Sequence, residues 1–221
     1  MKNLIVGQSG GPTAVINSSL YGVVSEALSQ PSIGKVYGMI NGIEGFLKGT
    51  ILDFEETLFA HDLEKLKTTP GAYLGSCRYK LPEDLEDPVY PVLFQKFEEL
   101  NIGYFFYIGG NDSMDTVSKL SRYAEKIQSD IRVIGEPKTI DNDLIMTDHT
   151  PGFGSAARYV ASTVREIVID ANVYETKSVT IVEIMGRHAG WLTAASALAR
   201  KSVGDNPLLI YLDRKSTRLN S

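Results

Sequence analysis

The 221 residues predict an α/β fold built on a mostly parallel, doubly wound, Rossmann-like sheet. Two observations carry that expectation. Short apolar runs of strand length alternate with longer segments whose apolar residues recur at helical spacing, and the glycine-rich and polar segments follow the strands rather than the helices. In such sheets the connecting loops converge at the carboxyl ends of the strands, where ligands bind.

Leu4-Ile5-Val6 is the first strand. It stops at Gly7-Gln8-Ser9-Gly10-Gly11-Pro12, after which Ala14, Val15, Leu20, Val23, Val24 and Ala27 recur at helical spacing, so the segment reads strand, glycine turn, helix. Lys35 to Ile40 is the second strand, closed by Asn41-Gly42. From Leu52 to Pro91 the chain is more polar and is broken by Pro70-Gly71, Pro82, Pro88 and Pro91, which predicts short helices and loops. Gly103 to Ile108 is the third strand, closed by Gly109-Gly110, and the helix after it carries Met114, Val117, Leu120 and Ile127 on one face. Ile131 to Gly135 forms another strand and leads into the polar segment Glu136 to Gly152. A long helix follows with Ala157, Val160, Val164, Ile167, Val168 and Ala171 inward; Ser178 to Ile184 is a further strand and Ala189 to Arg200 a further helix. No repeat at a fixed period is visible, and no linker rich in Gly, Ser or Pro divides the chain.

Composition narrows the function classes. Hydrophobic residues at 43% and charged residues at 22% suit a folded globular protein rather than a disordered or fibrous one. The net charge of −5 gives no overall attraction to nucleic acid or anionic lipid, so neither is an expected partner, although local basic clusters could still bind phosphates. Cys77 is the single cysteine, which excludes an internal disulfide and a cysteine-rich zinc site and fits a reducing compartment. No apolar run reaches the roughly 18–20 residues of a spanning helix, and Met1-Lys2-Asn3 leads straight into a strand, so the expected location is the cytoplasm. His61, His149 and His188 show no ligand spacing and are expected to be structural or surface residues, and Trp191 a packing residue.

Three loops carry candidate chemistry. Gly7 to Pro12 joins a strand to a helix, where backbone N–H groups and the helix dipole can hold an anion and glycine lets it approach the main chain. The spacing is neither the G-x-G-x-x-G dinucleotide fingerprint nor a Walker loop, and on its own the turn reads equally as a tight connection. Gly109-Gly110-Asn111-Asp112-Ser113 repeats the logic at the next strand end; an N-cap role accounts for Asp112 or Ser113 but not for a glycine pair ahead of three polar side chains. Glu136-Pro137-Lys138-Thr139-Ile140-Asp141-Asn142-Asp143 sets a lysine beside two carboxylates, a cation for a phosphoryl oxygen and a base for a hydroxyl. A solvated turn with Asx hydrogen bonds is the competing reading of that segment.

In order along the chain, the Gly-Gly-Asn-Asp-Ser run, Pro-Lys-Thr-Ile-Asp-Asn-Asp, Thr150-Pro151-Gly152-Phe153-Gly154-Ser155-Ala156 and Val182-Glu183-Ile184-Met185-Gly186-Arg187 resemble the signature segments of the phosphofructokinase family, most closely its pyrophosphate-dependent branch. The resemblance implies transfer of a phosphoryl group from pyrophosphate to the 1-hydroxyl of fructose 6-phosphate. Asp141 then matches the family's base, Asp143 orients the loop or acts through the metal, and Thr139, Ile140, Met185 and Gly186 line the sugar. Arg187 and Arg78 match arginines that steady the phosphoryl group in transit, and Gly10 and Gly11 hold the donor. ATP-using relatives resemble Gly-Gly-Asp-Gly-Ser at the second glycine loop and carry glycine where Lys138 stands; here Asp112 fills and repels the α-phosphate position while Lys138 adds a cation for pyrophosphate.

The implied cofactor is Mg²⁺, held by Asn111 and Asp112, although Asn111 stands where many relatives have an aspartate and supplies only a neutral oxygen. Ser178 aligns with an arginine that in some relatives reaches a neighbouring subunit, which puts that contact in doubt. The resemblance runs to about Leu212, implying one incomplete lobe over residues 1–212 with the second lobe largely missing; residues 213–221 match nothing in the pattern and are expected to be a non-native tail. The complete form is expected to be a homodimer or homotetramer, the 221-residue chain to have little activity, and the alternatives are an ATP-dependent enzyme or a non-catalytic sugar-phosphate-binding module.

Overall fold

The computed structural model describes residues 1–57, 60–186, 189–207 and 209–212. Its packing divides into two compact units, one ending at Lys138 and one beginning at Thr139.

In the first unit, Leu4, Ile5 and Val6 are at most 2% exposed and point alternately to the two faces of the sheet, so the apolar run is buried on both sides. This strand, β1 (Lys2–Gln8), is the centre of a five-stranded sheet. Helix α1 (Ala14–Ser29) returns the chain to β2 (Ile33–Met39), which pairs parallel to β1. Short helix α2 (Gly42–Leu47) leads to β3 (Ile51–Asp53), an antiparallel edge strand beside β2. Helices α3 (Phe54–Thr57), α4 (Ala60–Lys65) and α5 (Val89–Glu99) precede β4 (Ile102–Gly109), which pairs parallel to the other edge of β1. Helix α6 (Asn111–Lys126) then carries the chain to β5 (Arg132–Pro137), parallel to β4.

The spatial order is β3-β2-β1-β4-β5. Two apolar layers cover the sheet. Ile16, Leu20, Val24 and Ala27 of α1 pack with Leu4, Val6, Val36 and Ile108 on one face. On the other, Phe46, Tyr90, Phe97, Leu120 and Tyr123 pack with Ile5, Phe105 and Tyr107. Chain order therefore reverses at β1, and the neighbouring exits of β1 and β4 form the topological switch point where α/β sheets place ligands. The doubly wound, mostly parallel sheet is as the sequence predicts.

Four details of the first unit differ. Val89–Glu99 is a helix with Tyr90, Leu93, Phe94 and Phe97 inward, because Pro88 is its N-cap and Pro91 lies in its first turn, where no intrahelical N–H is lost. Neither β3 nor α2 was expected. Ile127 caps α6 and is 44% exposed instead of facing inward with Leu120.

In the second unit, the loop after Thr139 braces itself. Thr139 forms an isolated parallel bridge with Gly152, Thr150 Oγ1 donates to Thr139 O at 2.7 Å, and Asn142 Oδ1 accepts from Thr150 N at 2.8 Å. Helix α7 (Phe153–Ala171) follows, its inward stripe buried only at Val164 and half-buried at Ala157, Val160, Ile167, Val168 and Ala171. An apolar groove of about 700 Å³ runs along its later half, lined among others by Val168, Val182 and Leu209.

The expected strand Ser178–Ile184 does not form. Residues 177–186 have no regular structure, and Val179 and Ile181 are 91% and 90% exposed. An alternating apolar run becomes a strand only beside a neighbour that takes up its N–H and C=O groups, and none of the described residues pairs with it. Residues 209–212 likewise lack regular structure, and Leu208 lies outside the described residues. The expected helix Ala189–Arg200 is shorter: α8 (Trp191–Ala195) continues as a 3₁₀ turn over Ser196–Ala199. Trp191, expected to pack, is 57% exposed. The expected tail, residues 213–221, lies outside the described residues.

Candidate active site

The exits of β1, β4 and β5 meet in the first unit. After β1, Gly10 adopts a φ of 81°, a conformation that side chains resist, and the loop delivers the chain into α1, whose N-cap Thr13 makes no side-chain capping bond. After β4, a Cβ on Gly109 would lie 2.0 Å from Ser113 Oγ and 2.8 Å from Ser9 O, so the two loops approach more closely than any other residue permits. Gly110 then begins α6, again without a side-chain cap, and Asp112 occupies its first turn, where the helix dipole favours a negative group. Two uncapped helix starts side by side are suited to an anion.

Lys138 closes this arrangement from β5. Its backbone N–H donates to Gly109 O at 2.9 Å, and its ammonium donates to Gly11 O at 2.5 Å. The side chain is buried, at 5% exposure for the residue, with Nζ 3.6 Å from where a Cβ on Gly10 would sit. The sequence pattern thus brings Gly10, Gly11, Asn111, Asp112 and Lys138 to one place.

The Arg78 loop is attached to the same shelf. Ser76 Oγ donates to Gly10 O at 2.6 Å, Ser9 Oγ to Cys77 O at 3.3 Å and Asn41 Nδ2 to Ser76 O at 3.4 Å. Arg78 itself is exposed, while Cys77 is buried with Sγ 3.6 Å from Tyr107 Oη. Burial pushes the Tyr107 phenol above its ordinary range, so this hydroxyl stays neutral beneath the loops. Lys80 lies two residues beyond Arg78, and its Nζ is 3.4 Å from Asp112 Oδ1.

Gln8 is a structural support beneath these loops that the sequence pattern did not single out. It is fully buried, donates to Ile16 O and Asn17 Oδ1 at 3.0 Å each, and accepts from Leu74 N at 2.8 Å. One side chain thereby joins the end of β1 to α1 and to the segment leading to Arg78. No spacing rule separates such a stitch from an ordinary loop glutamine.

In the second unit, Thr139, Ile140, Asp141 and Asp143 share the braced loop, all of them half-buried. Asp141 N donates to Thr139 Oγ1 at 3.0 Å, and Asn142, at φ 57°, donates to Asp148 O at 3.0 Å, so the main chain under both carboxylates is fixed. His149 packs against Phe153 with the rings tilted by 34° and their centroids 6.0 Å apart. Met185, 72% exposed, and Gly186, at φ 138°, belong to the irregular segment before Arg187, which with His188 lies outside the described residues.

Among the described residues no three His, Cys, Asp or Glu side chains cluster as a metal cage, and no helix is long and apolar enough to cross a membrane.

Over 213 residues the chain is 46% identical to the pyrophosphate–fructose 6-phosphate 1-phosphotransferase of Rhodospirillum rubrum, covering 96% of this chain and 51% of that protein. It is 44% identical over 213 residues to the protein of the same name from Halomonas elongata, covering 94% and 50%. The crystal structure of the pyrophosphate-dependent phosphofructokinase of Marinobacter aquaeolei matches with a TM-score of 0.85 at 45% identity, covering 95% of this chain and 52% of that one. The chain spans about half the length of these relatives. The family model for phosphofructokinase matches residues 3–211, and the chain belongs to the phosphofructokinase family.

Proposed function

We propose that the chain is the donor-binding and catalytic portion of an enzyme that moves a phosphoryl group from pyrophosphate to the 1-hydroxyl of fructose 6-phosphate. The observation that carries this reading is the pairing, at one anion shelf, of a buried Lys138 ammonium on Gly11 O with an exposed Asp112 carboxylate in the first turn of α6. A nucleotide would extend its α-phosphate into the space that a carboxylate fills. Pyrophosphate ends one phosphate sooner and meets the lysine. The names of the relatives, which carry both substrates, support the same donor and acceptor.

The transfer asks the protein for position and charge. Asp141, on its fixed loop, takes the proton of the sugar hydroxyl as its oxygen attacks phosphorus, and inorganic phosphate departs. Lys138, Arg78 and the loop N–H groups offset the charge spread over the moving phosphoryl oxygens. Asp143 orients the loop, while Thr139, Ile140, Met185 and Gly186 line the sugar.

Mg²⁺ suits the residues present in one way. With no three-carboxylate cluster among the described residues, the ion would be carried by donor oxygens and take Asp112, with Asn111 as a neutral ligand, as Mg²⁺ commonly binds with few protein groups. When bound it would supply charge neutralisation between the two phosphates. Turnover is assigned to the product of the complete gene, as a cytoplasmic homodimer or homotetramer, and the 221-residue chain is expected to show little.

The test is to supply that product with pyrophosphate and fructose 6-phosphate and to follow fructose 1,6-bisphosphate and released phosphate. Formation of both, lost in Asp141→Asn, supports the reading. Sugar-phosphate binding without turnover, unaffected by that substitution, would instead mark a binding module.

A further inference from the structure

Lys80 is absent from every motif considered above, yet its ammonium reaches the anion shelf. Its Nζ lies 3.4 Å from Asp112 Oδ1, and the two side chains are 71% and 74% exposed. Ion pairs so fully solvated add little to folding, so stability does not explain the contact.

The backbone on either side of Lys80 is held firmly, although residues 75–83 form no helix or strand. Before it, Ser76 Oγ and Ser9 Oγ tie the segment to the first glycine loop, at 2.6 Å and 3.3 Å. Beyond it, Lys119 Nζ donates to Leu81 O at 3.1 Å and Tyr90 Oη to Pro82 O at 2.6 Å. Lys119 is itself fixed, its side chain 5% exposed and paired with Glu83 at 2.5 Å and Asp115 at 2.7 Å. The first glycine loop, α5 and α6 thus converge on one irregular stretch. What they immobilise is the base of a long cationic side chain whose tip remains in water beside the acidic residue that opens α6.

We propose that Lys80 is a further binding residue for the inorganic donor: its ammonium exchanges the Asp112 carboxylate for a terminal oxygen of pyrophosphate. The inference rests on reading the shelf as a pyrophosphate site. Without donor, Lys80 offsets Asp112. With donor, the exposed pair is weak enough to open, and a charge-assisted hydrogen bond to a multiply charged phosphate is stronger than the pair it replaces. Lys80 also resolves a difficulty in that reading, since Asp112 alone would repel pyrophosphate as well as a nucleotide. A mobile cation beside it restores attraction for a compact diphosphate while leaving the volume occupied against a longer donor.

The experiment titrates the 221-residue chain and its Lys80→Gln and Lys80→Arg variants with sodium pyrophosphate by isothermal calorimetry at low and high salt, with melting curves alongside. Both substitutions are at an exposed side chain, so unchanged melting is expected. Lys80→Gln should weaken binding by about tenfold and flatten its salt dependence, and Lys80→Arg should recover most of the loss. Wild-type affinity in Lys80→Gln would overturn the assignment of Lys80 while leaving the pyrophosphate site standing. No binding by the unaltered chain would overturn the site itself, and Lys80 with it.

Discussion

The Lys138 ammonium donates to the carbonyl of Gly11 at 2.5 Å, across 127 positions of sequence. The bond crosses the carboxyl ends of the strands, from the residue after the last strand of the first unit to the loop that follows the first strand. It sets a buried positive charge against the turn that the sequence marks as an anion site, and it makes the shape of that turn depend on the lysine. Structure and chemistry are therefore coupled at one side chain.

Lys138→Met should show both consequences. Gly11 O loses its charged partner, a cost of about 1–3 kcal/mol in stability. Turnover with pyrophosphate in the complete enzyme should fall about 100- to 1,000-fold, the usual effect of removing a group that stabilises developing charge. Denaturant unfolding and steady-state rates measure the two separately; an unchanged rate would remove the lysine from the transfer.

Gly109→Ala tests the close approach of the glycine loops. The added methyl would sit 2.0 Å from Ser113 Oγ and 2.8 Å from Ser9 O, so a loss of about 1–3 kcal/mol is expected from overpacking. Combining it with Ser113→Gly should recover part of that loss in the same unfolding measurement. Full stability in Gly109→Ala alone would mean that the loops are not in contact.

Lys119 sets a pH dependence. The Asp115 and Glu83 carboxylates raise its ammonium above the ordinary lysine value of about 10.4. A raised folded value means that its contribution to stability is complete below the unfolded value and disappears as pH climbs through the folded one. The stability gap between the protein and Lys119→Met should therefore be constant from neutrality to about pH 10 and narrow above it. A gap that closed on acidification instead would assign the effect to other groups.

Much of this was legible in the sequence, for identifiable reasons. The exits of β1 and β4 were readable because tight turns and close loop contacts demand glycine, and the chain supplies Gly10 and Gly109 where those demands occur. Helix α5 was hidden by Pro88 and Pro91, which break a helix interior but suit its first turn; the spacing of Tyr90, Leu93, Phe94 and Phe97 was the signal to follow. The run from Ser178 to Ile184 misled in the opposite sense, since alternation shows what a strand would bury but not whether a neighbour exists to pair with it. Gln8 and Lys80 gave no signal at all. Their importance lies in partners such as Leu74 and Asp112, tens of residues away, which only the folded chain brings near.

The most direct measurement compares kcat/KM for pyrophosphate and for ATP in the protein expressed from its complete gene, unaltered and with Asp112→Gly. The account predicts that pyrophosphate is preferred by at least about 100-fold, the scale of discrimination that a steric and charged block can impose, and that the substitution narrows the gap. Preference for ATP by the unaltered protein, or a ratio indifferent to residue 112, would contradict it.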